Sequence, residues 1–296
     1  MSLFDDWPEI CRREVPLAPL TWFRLGGPAE YLIEPRTEEE LAAVVRRCHE
    51  SGTRLHILGF GANVLAPDEG VRGVVLRLTA EPFIKTDYHG TRVVAGAGMD
   101  LTRLVRHTVR RGLAGLEILA GIPGTLGGGI RMNCGGRYGE IATAVRTVRV
   151  VDRDGQIHER DRDDMEFGYR RCRLGGELIV QASFELVEVD PAELVNRFRQ
   201  IWMFKQNTQP PLGTRSAGCI FRNPDGRSAG AMIDQAGLKG VRCGGAYVSE
   251  RHANFILAQP GCKAADVLRL IDIIRDRVEE RFGTRLAPEV EIWTNS

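Results

Sequence analysis

The sequence predicts an α+β protein of two domains, and three observations carry that expectation. Strand-like and helix-like segments follow one another without the regular β-α-β alternation of a parallel sheet. At 296 residues the chain exceeds what one hydrophobic core ordinarily serves. Two dense glycine clusters also stand among apolar segments of the N-terminal half, Gly59-Phe60-Gly61-Ala62-Asn63-Val64-Leu65 and Gly121-Ile122-Pro123-Gly124-Thr125-Leu126-Gly127-Gly128-Gly129. Glycine costs conformational entropy and adds no packing, so such density needs a reason. The usual reason is a backbone that turns sharply and brings bare N–H groups against a phosphate. Two such loops suggest a large phosphorylated cofactor gripped from two sides.

The elements follow in order. Thr37 and Glu40 have capping-box spacing, Leu41, Val44, Val45 and Cys48 share a helical face behind them, and Gly52 closes the helix. A strand at 55–58 runs into the first glycine cluster, and further strands are expected at 74–78 and 92–95. Asp100 caps a second helix with Leu101, Leu104, Val105 and Thr108 on one face and Gly112 as its stop. After the second glycine cluster come strands at 147–152 and 178–187. Asp190-Pro191 opens a helix carrying Leu194, Phe198, Ile201 and Trp202. The polar, proline-rich stretch 206–213 reads as a loop into the second domain. Strands at 219–222, 254–257 and 290–293 and a helix at 264–282, with Val267, Leu268, Ile271, Ile274 and Val278 at helical spacing, complete the pattern.

Bulk composition narrows the function classes. Forty basic against thirty-nine acidic residues give a net charge of +1, which argues against nucleic acid as the main partner. The N-terminal Met-Ser-Leu-Phe-Asp-Asp-Trp-Pro lacks the pattern of a signal peptide, and no apolar run is long enough to span a bilayer. Seven scattered cysteines contain no C-x-x-C pair, and the six histidines form no H-E-x-x-H, so neither a disulfide framework nor a metal site is expected. A cytoplasmic, monomeric protein without membrane insertion is the simplest reading.

Familiar nucleotide motifs fail. Gly59-x-Gly61 and Gly96-x-Gly98 both lack the third glycine of the dinucleotide fingerprint, and no G-x-x-x-x-G-K-[ST] occurs. A closer match emerges from several segments together: Pro28, the loop 59–65, the loop 121–128 with Met132-Asn133 after it, and Tyr169-Arg170. To these are added Ser216-Ala217-Gly218-Cys219-Ile220-Phe221-Arg222-Asn223-Pro224 and Pro288-Glu289-Val290. In these motifs, which run in family order across nearly the whole chain, the sequence resembles the UDP-N-acetylenolpyruvoylglucosamine reductases. It is similar to their shorter subtype, which lacks an inserted tyrosine-bearing loop. The string S-A-G-x-x-F-[KR]-N-P is specific to that family, whereas the glycine loops are shared with a wider class of FAD-binding proteins.

The resemblance implies a two-part FAD-binding domain of the vanillyl-alcohol-oxidase/PCMH type over residues 1–190, with subdomains at about 1–78 and 79–190. A smaller α+β substrate-binding domain over 191–296 would follow. It implies non-covalent FAD, NADPH as reductant, and reduction of UDP-N-acetylglucosamine-enolpyruvate to UDP-N-acetylmuramate for cell-wall peptidoglycan. Cofactor contacts are then expected from Gly59, Phe60, Gly61, Ala62, Asn63, Val64, Leu65, Gly121, Ile122, Pro123, Gly124, Thr125, Gly127, Gly128 and Asn133. Arg170 matches the catalytic arginine, suited to the substrate carboxylate, and Glu289 the catalytic glutamate; strand alternation places Glu291 on the same face as Glu289. Cys219 stands where the family usually has the proton-donating serine. A thiol, with an ordinary pKa of about 8.5, is mostly protonated at neutral pH and is a stronger acid than a hydroxyl. Tyr169, Gln209, Arg222, Asn223 and Lys239 are expected at the substrate, and Lys205 and Tyr247 extend that set. Ala62 in place of serine, Cys172, and the varied stretch 132–139 depart from the family pattern. Two other readings stay open: an FAD-dependent oxidase of the same fold class, and a paralogue binding UDP-sugar or flavin without turnover.

Overall fold

The structure, a computed structural model, describes residues 3–224 and 226–295. The chain forms two compact units that interleave along the sequence. One comprises the segments up to Arg13, Tyr31–Gly59 and Gly73–Lys205; the other comprises Glu14–Glu30, Phe60–Arg72 and the chain from Gln206 onward. This differs from the boundary expected at 190/191. The reason is helix Pro191–Thr208, whose Leu194 is buried in the first unit's core, with Val195 and Phe198 packed against it.

The first unit is built on an antiparallel sheet in the order Ile157–Asp161, Val145–Val151, Leu178–Glu185, Arg92–Gly96, Thr86–His89. Its central strands are β-branched and bury Val145, Val148, Val150, Ile179, Val180 and Val93. A second sheet runs Cys11–Pro16, Pro28–Ile33, Val71–Leu76, Leu55–Ile57, its last two strands being parallel. Helix Glu38–Glu50 begins as expected, with the Glu40 amide donating to Thr37 Oγ1 at 3.2 Å. The reciprocal half of the box does not form: the Glu40 carboxylate accepts instead from the Arg36 amide at 2.7 Å and from its guanidinium. Helix Leu101–Arg110 is capped by Asp100 Oδ1, which accepts from the Arg103 amide, and it buries the expected face.

The second unit packs helix Ala264–Phe282 with helix Ala229–Gln235 and the small sheet Arg242–Cys243, Ala246–Val248, Ile256–Ala258. The long helix buries Val267, Leu270, Ile271, Ile274 and Val278 and ends at Gly283 with φ 64°. Leu268, expected on that face, is only partly buried, because Leu270 takes the place one turn beyond Val267. Residues 219–222, expected as a strand, run as isolated bridges, Cys219 opposite Phe255 and Phe221 opposite Pro288. Residues 206–208, expected in a loop, finish helix Pro191–Thr208.

Asn254 fixes that bridging segment. Only 4% exposed, it donates from Nδ2 to the Phe221 carbonyl at 2.8 Å and accepts the Phe221 amide on Oδ1 at 3.0 Å. Removing it leaves a buried N–H and C=O without partners, each costing about 1–3 kcal/mol. Asn254→Ala is therefore expected to lower unfolding stability in urea by about 3 kcal/mol. A loss below about 1 kcal/mol would mean that water replaces the amide and that the clamp is dispensable.

Candidate active site

Gly59, the first residue of the first cluster, meets the second cluster inside the first unit. A Cβ on Gly59 would lie 2.4 Å from Thr125 Oγ1, so only glycine permits the contact. The Thr125–Asp100 bridge, the Leu101 amide on the Gly124 carbonyl and the Gly127 amide on the Ala97 carbonyl fix the second loop from below. Gly124, at φ 136° with no atom within 4 Å of where a Cβ would stand, leaves its backbone bare on the open side. This is a cradle that side chains would fill, and it suits the approach of a phosphorylated cofactor.

Arg170 sits in the tight turn Gly168-Tyr169-Arg170-Arg171, closed by two backbone bonds, from the Gly168 amide to the Arg171 carbonyl and from the Arg171 amide to the Gly168 carbonyl, at 2.9 and 3.1 Å. At φ 53° it holds the left-handed position normally given to glycine. Its guanidinium donates to the Gly135 carbonyl at 3.1 Å and lies 5.2 Å from the centroid of the exposed Tyr169 ring. Asn133, expected at the cofactor, is 1% exposed, and the protein itself occupies its side chain. Its Nδ2 donates to Glu140 at 2.7 Å and to the Gly168 carbonyl at 3.0 Å, while Oδ1 accepts the Ala142 amide. Asn133 thus holds the turn that presents Arg170, a positioning role that sequence reading missed.

The second unit carries the other candidates. Cys219 is half-buried beside Gly218, which has φ 74°. The next residue, Ile220, donates to the Asn254 carbonyl at 2.8 Å, and its own carbonyl accepts the Glu289 amide at 2.7 Å. Residues 219 and 289 are therefore held in one hydrogen-bonded layer. Glu289 is half-buried and Glu291 exposed, so burial separates the two acids that strand alternation could not. The first glycine cluster contributes here as well. Asn63 Nδ2 donates to the Glu289 carbonyl at 3.1 Å, and Val64–Leu65 pairs in parallel with Glu291–Ile292. Gly61, at φ 64°, packs on the Leu20–Thr21 backbone, where a Cβ would meet the Leu20 carbonyl oxygen at 2.5 Å. Part of this motif thus serves the fold, which its sequence did not reveal.

The remaining candidates differ in their surroundings. Arg222 and Asn223 are exposed, and Asn223 Oδ1 accepts the Ala229 amide at 3.0 Å. Lys239, expected at a diphosphate, makes an ion pair with Asp234 at 2.7 Å. Gln209 is half-buried just beyond the end of helix Pro191–Thr208, and Tyr247 is half-buried under Arg242. Cys172 is buried and its thiol is pushed up to about 11 by that burial, which suits an inert filler. Burial also lowers the pKa of His56, keeping this strand histidine neutral. Among the described residues no helix is long and apolar enough to cross a membrane.

The first unit thus carries a cation on a rigid turn and a glycine loop, and the second carries a thiol and a carboxylate on segments joined through the Ile220 carbonyl. Comparisons with known proteins agree. Residues 29–161 match the FAD binding domain family, and residues 209–293 match the C-terminal domain of UDP-N-acetylenolpyruvoylglucosamine reductase. The chain is 43% identical over 294 residues to UDP-N-acetylenolpyruvoylglucosamine reductase 2 of Symbiobacterium thermophilum, covering 99% of this chain and 94% of that one. It is 39% identical to the Clostridioides difficile reductase, covering 96% and 93% of the two chains. The crystal structure of the Thermus caldophilus reductase superposes with a TM-score of 0.85 at 38% identity, over 96% of this chain and 100% of that one. The chain therefore belongs to the UDP-N-acetylenolpyruvoylglucosamine reductase family, the FAD-dependent oxidoreductases of peptidoglycan synthesis.

Proposed function

We propose that the protein reduces UDP-N-acetylglucosamine-enolpyruvate to UDP-N-acetylmuramate with NADPH, and that Cys219 supplies the proton. The observation that carries this reading is the layer joining Cys219 to Glu289 through the Ile220 carbonyl, within a unit whose motif matches the family. FAD, when bound, would supply the hydride chemistry that links NADPH to the methylene carbon of the enolpyruvyl ether. The backbone of residues 59–65 and 121–128 would hold that cofactor, a fit supported by the Gly59–Thr125 approach and the open Gly124.

Every other step falls to this chain's side chains. As the methylene becomes a methyl group, negative charge builds on the neighbouring carbon and its carboxylate. Arg170 holds that carboxylate, and its charge gains value as the enolate-like species forms. Cys219 then gives its Sγ proton to the ether-bearing carbon, and the thiolate regains a proton from solvent. Glu289 orients the acid and polarises the enolic carboxylate. Asn133 and Asn254 act through these residues as positioning groups.

A thiol here is the departure from the family's serine, and its replacement is the decisive test. In Cys219→Ala, bleaching of the flavin by NADPH without oxygen should proceed at the wild-type rate. Reoxidation by UDP-N-acetylglucosamine-enolpyruvate should slow by about 10²–10⁴-fold. Cys219→Ser should restore much of that rate in stopped-flow absorbance. Normal reoxidation in Cys219→Ala would remove the assigned role, and rapid reoxidation of the wild type by air alone would mark an oxidase. Arg170→Met should retain FAD, weaken enolpyruvyl-substrate binding by about tenfold or more and slow reoxidation further. Unchanged binding and rate would exclude it from the carboxylate.

A further inference from the structure

Lys205, near the end of helix Pro191–Thr208, is the most unusual charge of the first unit. Its Nζ is buried and finds no hydrogen-bond partner among the described residues. A buried ammonium without an acceptor is costly, and proteins ordinarily pair such charges. Its side-chain stem runs along the second glycine loop, where a Cβ on Gly121 would lie 3.2 Å from Lys205 Cδ. Its charge is felt at Cys134, directly after Asn133, and it feels in turn the guanidinium of Arg170. The stem of Lys205 thus lies against the glycine loop, and its charge is coupled to Cys134 beside Asn133 and to Arg170. Glu140, whose charge also reaches Cys134, is engaged by Asn133 Nδ2 at 2.7 Å.

We infer that Lys205 is a second cation for the substrate's carboxylate, acting beside Arg170 rather than at the diphosphate. The inference rests on the reading that Arg170 holds that carboxylate. Two cations within electrostatic reach repel each other when the site is empty, and a carboxylate between them relieves the repulsion while giving Lys205 Nζ its missing acceptor. The ionisation of Lys205 fits this state. Burial above all brings its pKa down to about 8, with Arg170 acting in the same direction and Cys134 against it. The Cys134 thiol, pushed up to about 12 by burial, remains protonated and supplies no countercharge near neutral pH. An arriving carboxylate favours the charged lysine. Above about pH 8, binding should therefore take up a proton, and affinity should fall as pH rises.

The test compares two ligands on the oxidised holoenzyme without NADPH, read by perturbation of the flavin absorbance. One is UDP-N-acetylglucosamine-enolpyruvate; the other is UDP-N-acetylglucosamine, which carries the same diphosphate and no carboxylate. Lys205→Met should weaken the first by about tenfold or more, leave the second within about twofold, and leave the flavin midpoint potential unchanged; Lys205→Arg should recover affinity for the first. Equal loss for both ligands would place Lys205 at the nucleotide and overturn the inference. A shifted potential with unchanged affinities would place it at the flavin, and no change in any quantity would exclude it altogether. Should Lys205→Met lose FAD, the wild-type enzyme decides the matter. Its preference for the carboxylate-bearing ligand should fall as pH rises through about 8, with proton uptake measured in two buffers of different ionisation heat, and a flat preference would overturn the inference. If the wild type shows no preference for the enolpyruvyl ligand at any pH, the reading of the site itself fails, an outcome distinct from failure of Lys205 alone.

Discussion

The carbonyl of Ile220 is the constraint on which the chemistry of the second unit depends. It accepts the Glu289 amide at 2.7 Å, while the neighbouring Phe221 is held through both of its backbone groups by the buried amide of Asn254. The positions of residues 219 and 289 are thereby set by main-chain bonds, which do not depend on the side chain at either position. On the proposed role of Cys219, the backbone therefore places residue 219 independently of the side chain it bears.

Arg170 is placed by a different device. An L-residue at φ 53° is strained by about 1–3 kcal/mol and persists only where its surroundings overdetermine it. Here they do so twice. The turn is closed by two backbone bonds, and Asn133, itself at φ 41°, reaches across to bond the Gly168 carbonyl at its base. A relaxed turn would move the guanidinium away from Gly135. On the proposed role of Arg170, the strain acts as a fixed aim, so that the arginine would need no reorganisation as charge develops on a carboxylate.

Much of the fold was legible because local and tertiary preferences agree. Asp100 caps the helix it was expected to cap, Gly283 ends the long helix in the left-handed conformation, and the valine-rich strands form the central sheet. The misreadings share a cause, which is that tertiary contacts outweigh local signals. Residues 206–208 stay helical despite the prolines beyond them, since Pro210 and Pro211 restrict only the residues immediately before them. The Glu40 carboxylate leaves its capping box for the stronger charge of Arg36. The interleaving of the two units was invisible, because composition does not change at Arg13, Glu30 or Arg72. In the site, the sequence drew attention to residue types with distinctive chemistry, whereas Asn133 and Asn254 were not recognisable as clamps. Their function lies in partners distant along the chain, Gly168 and Phe221.

The glycine clusters show that the protein's own packing also demands glycine in such a motif. Gly59 and Gly61 are required by the protein itself: a Cβ would collide with Thr125 at one and with Leu20 at the other. Gly96 and Gly98, which mimic a nucleotide fingerprint, are similarly filled by the carbonyls of Phe83 and Leu78. Within the two clusters Gly124 is the position that combines a positive φ with open space, a combination that Gly52, Gly218 and Gly283 share elsewhere in the chain. The density of glycine in these loops therefore reflects two demands at once. Close internal packing fixes the loop, and a fixed loop can present an exposed amide without the entropic loss that a flexible one would incur on binding. A substitution at Gly59 would consequently displace Thr125 and the second glycine loop with it.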